Sequence, residues 1–274
     1  MDGSFAHNFS CLLSSHRSIR RFKPDPLDQG LVEEVLQQAI AGSSSSGNLN
    51  TYSVVLTRDQ TRKVRLCEMH FGQPMIREAP LLITFCADTY RTRRWLKLRG
   101  ARDNFNNFEG FLVAAFDAII LAQTAALGFE SRGLGICYLG TTLDSCDRIA
   151  DFLSLPETCF PVTSLVVGVP DEDPAKRDRL PLRAYLHEEQ YHHLSDDELL
   201  GLYADREVSG WNRYRSLGDE MVGEMERLGI TSLAQFYTSE LKYSPERMLE
   251  SSRRLRDLLA AKRFDERAAD SGVC

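Results

Sequence analysis

The chain has 274 residues, 43% of them hydrophobic and 26% charged. This is enough apolar material for one large domain, or a domain with an appendage, and it excludes a disordered or fibrous chain. A formal net charge of -6 supplies no overall field for nucleic acid or an anionic membrane, so neither is expected as a partner.

The seven cysteines, Cys11, Cys67, Cys86, Cys137, Cys146, Cys159 and Cys274, are odd in number, scattered and without a C-x-x-C pair. Most of them read as buried thiols of a cytoplasmic protein, with no disulfide framework and no metal site. The opening MDGSFAHNFS lacks a basic region followed by an apolar run, so no secretory signal is expected.

Residues 9–22 combine a short amphipathic segment with His16, Arg17, Arg20 and Arg21 around Ser18. Cationic groups this close repel one another unless an anion sits among them. The segment is either a solvated basic loop or a phosphate site, where arginine forks and a hydroxyl match phosphate oxygens. Pro24 and Pro26 break the chain. Asp28 then caps a helix through about Ala41, whose apolar positions Leu31, Val32, Val35, Leu36, Ala39 and Ile40 follow the helical period. Residues 42–50, GSSSSGNLN, are either a flexible linker or a hydroxyl-rich stretch able to bind a polyol, and they lead into a strand over 52–57.

A helix is expected over 58–69 and a loop over 71–80, in which Gln73 is an uncharged donor and acceptor beside Pro74. An apolar strand follows over 81–87. Residues 90–107 carry Arg91, Arg93, Arg94, Lys97, Arg99 and Arg102 and read as an exposed excursion, either a solvated face or a mobile lid. The longest apolar segment is 108–131, where Phe111, Leu112, Ala115, Phe116, Ile119, Ile120, Ala122, Ala126 and Leu127 cover most of a helix circumference. Such a helix needs cover on nearly every side, from a large domain or from a second copy of the chain. Asp117, Gln123 and Thr124 interrupt it, and a carboxylate in mid-membrane costs about 2.5 to 3.5 kcal/mol, so a membrane span is set aside.

Gly133 and Gly135 end that helix and a short strand over 136–139 runs into Gly140, Thr141 and Thr142, where bare backbone can approach a flat ligand. Here the glycines follow a helix and precede a strand, the reverse of a dinucleotide-binding fingerprint, which excludes a Rossmann unit. A helix over 145–153, a loop LPETCFP and a strand over 162–169 follow. The loop at 171–187 places Lys176, Arg177 and Arg179 together as a second candidate anion site. The remainder is helical and charged, with a capping box at Ser195 and Glu198 and a last helix starting at Ser244 and Pro245. The expected division is a domain over 1–192 and a helical C-terminal arm over 193–274.

Together, HRSIRRF, SSSSGNLN, the FGQ and EAP of residues 71–80, the helix running into RGLGICYLGTT, LPETCFPVTSLVVGVP and the R-x-RLP of 177–181 resemble the nitroreductase superfamily. The branch most similar is that of the oxygen-insensitive NADPH nitroreductases and flavin reductase P, and the similarity spans residues 9–192 in order and spacing. It implies an α+β fold, with a mostly antiparallel central sheet flanked by helices, in a homodimer whose long buried helix lies at the subunit interface. It also implies an FMN-dependent NAD(P)H oxidoreductase, with NADPH or NADH as donor and a nitroaromatic, quinone or flavin as small-molecule acceptor, working by ping-pong hydride transfer. The alternatives on the same scaffold are a specialised flavoenzyme and a flavin-binding protein without turnover.

By similarity, His16, Arg17, Ser18 and Arg20 hold the FMN phosphate, Ser44 and Ser45 meet the ribityl chain, and Gln73 reaches the polar edge of the ring. Tyr138, Leu139, Gly140 and Thr141 line the ring, while Arg177 and Arg179 complete the phosphate and pyrimidine side. No side-chain acid or base is implied, because the cofactor carries the chemistry. For the extra phosphate of NADPH the candidate partners are Arg91, Arg93, Arg94, Arg206, Arg213 and Arg215. The chain departs from the branch at Asn50, where glutamine is frequent, at Thr141, where glycine is common, and at Arg177, which replaces a lysine.

Overall fold

The computed structural model describes residues 3–264. They form two compact units: one comprises the chain up to Lys176 with the part from Ser251 onward, the other Arg177–Glu250. The expected boundary at 192/193 falls inside the second unit, and Cys274 lies outside the described residues.

In the first unit β1 (Tyr52–Thr57), β2 (Leu81–Asp88), β3 (Gly135–Leu139) and β4 (Cys159–Gly168) lie in the order β1-β2-β4-β3, every neighbour antiparallel. All eight residues of β2 are buried, because its side chains alternate between two covered faces. Leu81, Ile83 and Phe85 pack with Val32, Val35, Leu121, Ala125 and Phe129 on one face. On the other, Leu82 meets Leu66, Met75, Ile76 and Ile149. The result is helices, sheet, helices: the α+β architecture expected from the sequence.

The helices of this unit are α1 (Gly3–Ser15), α2 (Gln29–Gly42), α3 (Gln60–Met69), α4 (Met75–Glu78), α5 (Tyr90–Leu98), α6 (Phe108–Glu130) and α7 (Cys146–Phe152). Asp28 caps α2 through Leu31 N at 2.8 Å, and Asn107 caps α6 through Gly110 N at 2.8 Å, each satisfying one of the donors a helix start leaves open. The expected loop over 71–80 contains α4, because Pro74 sits at its N-cap with φ -59° and so starts a helix where the sequence reads as a break. The buried Lys63 donates to Ala79 O at 2.6 Å, closing the far end of that helix, and burial lowers its pKa. β4 begins earlier than expected, at Cys159. Its Pro161 is tolerated because the β2/β4 register shifts between Phe85 and Cys86, where a missing ladder donor is harmless.

Within this unit α6 turns Ala114, Ala118, Leu121, Ala122, Ala125, Ala126 and Phe129 inward and packs against α2 and β2. Its outer face is exposed: Phe116 is 61% accessible, Ile119 44% and Ile120 40%. The second unit contains α8 (Asp196–Arg215), α9 (Asp219–Arg227) and α10 (Leu233–Tyr237), with Met225, Ile230 and Phe236 as its core. The capping box at Ser195 and Glu198 forms as expected. The last helix, α11 (Pro245–Ala261), starts at Pro245, and its Leu258 joins Cys86, Ala150 and Phe160 in the core of the first unit.

One polar group fixes α6 to the loop after α2. Asp117 is 1% exposed. Its carboxylate accepts from Ser45 Oγ at 2.6 Å, Thr51 Oγ1 at 2.7 Å, Ser46 N at 3.1 Å and Thr51 N at 3.2 Å. Hydrogen bonds to a charged group contribute about 1.5 to 3 kcal/mol each, and buried donors left unpaired are penalised further. Asp117→Ala is therefore expected to lower unfolding stability by about 3 kcal/mol or more, read as a fall in the urea midpoint. A midpoint within experimental error of wild type rejects this account.

Candidate functional site

The basic segment is held beside the sheet. Ile19 N donates to Ile136 O at 2.9 Å and Ser18 forms a parallel bridge with Ile136, so residues 16–21 run next to β3. Gly135 makes the approach possible, since a Cβ there would lie 2.8 Å from Ile19 Cγ1. His16 Nδ1 lies 2.7 Å from Glu130 Oε1 at the end of α6. The phenol of Tyr138 donates to Gln123 Oε1 at 3.4 Å, and burial and the Glu130 charge both raise its pKa.

Anionic oxygens occupy this segment. The guanidinium of Arg17 binds the carboxylate of Asp173 and donates to Pro174 O at 3.4 Å. Glu172 Oε1 accepts from the backbone N–H of Arg20 and, at 3.1 Å, from that of Arg21. Arg20 Nη1 also donates to Ser18 O at 3.3 Å. Successive backbone donors beside an arginine fork make a geometry that receives carboxylate or phosphate oxygens alike.

Beyond β3 the chain turns through Gly140, where a Cβ would meet nothing within 4 Å. Thr141 follows, and its hydroxyl lies 2.9 Å from Gln73 Nε2 and 2.8 Å from Nδ1 of His70. Gln73 and Thr141, both named from sequence, are thus brought together. His70, which sequence reasoning passed over, lies fully buried behind them at the end of α3. Burial lowers its pKa to about 4, so the imidazole is neutral at physiological pH. Leu139 is buried at the end of β3 and Tyr138 is half-buried.

Ser45 is committed to Asp117 and accepts from Asn50 N at 2.8 Å, while Ser44 is exposed. Neither bonds another predicted site residue among the described residues. Arg177 and Arg179 belong to the second unit, where Arg179 donates to Asp178 O at 3.1 Å. Of the arginines considered for the NADPH phosphate, Arg91 donates to Asn50 O at 2.6 Å and Arg93 pairs with Asp103 at 2.7 Å. Arg206 pairs with Asp178 at 3.1 Å and Arg213 lies 4.8 Å from the Tyr214 ring centre. Arg94 and Arg215 are exposed.

The sequence profile of the nitroreductase family matches residues 13–169, more than half of the chain, including the basic segment, Gln73 and the turn after β3. The chain belongs to the nitroreductase family. A relative in Bacillus subtilis (strain 168), the FMN reductase [NAD(P)H], is 34% identical over 231 residues, covering 82% of this chain and 89% of that protein. Nitroreductase A from Vibrio parahaemolyticus superposes with a TM-score of 0.76 at 26% identity, covering 93% of this chain and 97% of the other. The NADPH:FMN oxidoreductase of Vibrio harveyi, solved with NAD+, gives 0.70 at 26% identity, covering 90% and 98%.

Two residues of this family member carry site geometry without having signalled it in sequence. Asp117 appears there only as a charge interrupting an apolar run, and His70 as an isolated polar residue at a helix end. Their partners lie 66 to 72 residues away for Asp117 and 71 for His70, so no local pattern points to them.

The depressed pKa of His70 has a consequence for stability. Its folded value of about 4 lies below the ordinary 6.5, so the unfolded chain binds the proton more readily. The stabilisation is full above pH 6.5 and is lost as pH falls toward 4. At about 1.36 kcal/mol per pKa unit the span is about 3 kcal/mol. Urea midpoints of wild type are expected to fall more steeply across that window than those of His70→Leu. Parallel pH profiles would show that the imidazole protonates without disturbing the fold.

Proposed function

We propose that this nitroreductase-family protein is an NAD(P)H-dependent FMN oxidoreductase acting on a small-molecule acceptor such as a nitroaromatic, a quinone or a free flavin. The observation that carries the flavin site is the capture of the Glu172 and Asp173 carboxylates by Arg17 and the amides of Arg20 and Arg21. Donors that receive two carboxylates of the chain itself support a phosphate site at this segment, to which the resemblance also points.

When bound, FMN supplies the two-electron chemistry, accepting hydride from the nicotinamide and passing reducing equivalents to the acceptor. The chain's own residues bind and orient. Arg17, Arg20 and Ser18 take the phosphate, with His16 braced by Glu130. Gln73 and Thr141 meet the polar edge of the ring, and Tyr138, Leu139 and Gly140 form its wall, where the open space above Gly140 admits a flat ring. Ser44 and Ser45 lie on the loop tied to Asp117 and take the ribityl chain. The positions of Arg177 and Arg179 at the flavin rest on the resemblance alone.

We further take the working form to be a homodimer in which α6 pairs with its copy. The exposed outer face of α6, with Phe108 57% and Phe116 61% accessible, and the exposed Phe5, Phe9 and Leu13 of α1 are apolar surface of the kind a subunit interface removes from water. The flavin-binding region is taken as 1–192 and the helical extension as 193–274, whose last helix returns to the first unit from Ser251. The six described cysteines are free, in keeping with the cytoplasm.

Anaerobic addition of NADPH or NADH to the yellow protein is expected to bleach the flavin within minutes, and a nitro compound or quinone to restore the colour. A flavin that neither nucleotide reduces leaves a binding protein without turnover. Arg17→Ala is expected to weaken FMN retention about tenfold to a hundredfold, as loss of one charge-assisted bond requires, while Arg94→Ala leaves it unchanged. Equal FMN content in the two would return the basic segment to a solvated loop.

Light scattering is expected to give twice the chain mass of 31.0 kDa, and Phe116→Arg with Ile119→Glu to shift the protein toward monomer. A wild-type mass of one chain refutes the dimer.

A further inference from the structure

Backbone pairing delivers the loop after β4 to the basic segment. Lys23 N donates to Val169 O at 2.9 Å, Phe22 forms an antiparallel bridge with Pro170, and Asp171 N donates to Arg21 O at 3.0 Å. Glu172 and Asp173 follow directly in sequence, so their carboxylates fall at residues 17–21. The three acidic residues 171–173 therefore end where the chain gathers its phosphate donors.

Both carboxylates engage groups that a phosphate also needs. Glu172 Oε1 accepts from the backbone N–H of Arg20 and of Arg21, an adjacent pair of the kind that cradles phosphate oxygens. Asp173 takes the guanidinium of Arg17. An N–H carries one hydrogen, so an amide aimed at Glu172 is not offered to a second anion at full strength. The closed arrangement is also able to yield. The Asp173 side chain is 84% exposed and that of Arg17 34%, and solvent screens an ion pair so placed. A phosphate monoester carries more charge and more acceptor oxygens than either carboxylate.

Resting on the FMN reading above, we propose that Glu172 and Asp173 are specificity-determining residues, an internal competitor that has to leave Arg17 and the amides of Arg20 and Arg21 before the flavin phosphate binds there. The phosphate then binds only the fraction of molecules whose loop has opened, and its apparent affinity is reduced by that fraction. A flavin without a phosphate does not use these donors and escapes the competition. The two carboxylates thus set how tightly the chain holds a phosphorylated flavin relative to an unphosphorylated one. Asp171 supplies a control: it carries the same charge in the same loop, yet among the described residues it bonds the basic segment through its backbone alone.

The test is equilibrium binding of FMN and of riboflavin to the full-length chain freed of its flavin, followed by flavin fluorescence at about 0.15 M ionic strength, where distant charges are screened. In the double variant Glu172→Gln with Asp173→Asn, FMN affinity is expected to rise about threefold to tenfold while riboflavin affinity stays where it was. Asp173→Asn alone, at an exposed position whose replacement leaves the core untouched, is expected to give part of that rise. Asp171→Asn is expected to change FMN affinity by less than about twofold, since it alters only a screened charge. FMN affinity that is unchanged or weakened in both the single Asp173→Asn and the double variant overturns the competition while leaving the cofactor assignment standing. So does an Asp171→Asn effect as large as that of the double variant, which would reduce the matter to general charge repulsion. Wild type and double variant that both bind FMN no better than riboflavin remove the phosphate site and this inference with it.

Discussion

A carboxylate cannot enter the middle of an apolar helix at the centre of a protein unless donors meet it there, and in this chain they come from the loop that follows α2. Asp117 on α6 gathers the hydroxyls of Ser45 and Thr51 and the amides of Ser46 and Thr51. That one group settles two things. It fixes the rotation of α6 about its axis, so that Leu121, Ala125 and Phe129 face the sheet and Phe116, Ile119 and Ile120 face outward. It also turns a glycine- and serine-rich stretch that would otherwise behave as a linker into an ordered connection, in which Asn48 and Asn50 take positive φ of 54° and 53°.

The rest of the site depends on the sheet that α6 covers. With β3 at its edge, the sheet carries the basic segment through the bridge between Ser18 and Ile136 on one side. At the C-terminal end of the same strand it delivers Gly140 and Thr141 to Gln73. Two short stretches distant in sequence therefore flank one strand, one offering anion donors and the other the uncharged polar group of Gln73 and Thr141 beside a neutral imidazole. This division is the one on which the proposed FMN site rests. The carboxylates of Glu172 and Asp173 satisfy arginine and amide groups in this cluster that would otherwise repel or remain unpaired.

Family membership narrows the chemistry, and the individual residues determine how this chain performs it. Thr141 stands where glycine is common in the similar branch, and its hydroxyl is occupied on both sides, by Gln73 and by His70. The departure from the branch at Thr141 therefore brings a hydroxyl that is hydrogen-bonded to Gln73 and His70. Burial holds His70 uncharged, which keeps a positive charge out of this end of the site.

The sequence by itself determined the elements and the family. Hydrophobic period and the cap Asp28 placed α2, and the long apolar run placed α6, because such signals act within a few positions of themselves. The ordered set of short motifs identified the scaffold and with it Arg17, Ser18, Gln73 and Thr141 as residues to watch. The tertiary structure alone decided what those residues touch. Residues 71–80 read as a loop, yet Pro74 starts α4, whose far end is held where the Ala79 carbonyl finds Lys63 on another helix. Pro161 sits inside β4 because a register shift with β2 spares its missing donor. Asp117 and His70 were silent in sequence, because a buried polar group takes its meaning from partners that folding brings from about 70 residues away.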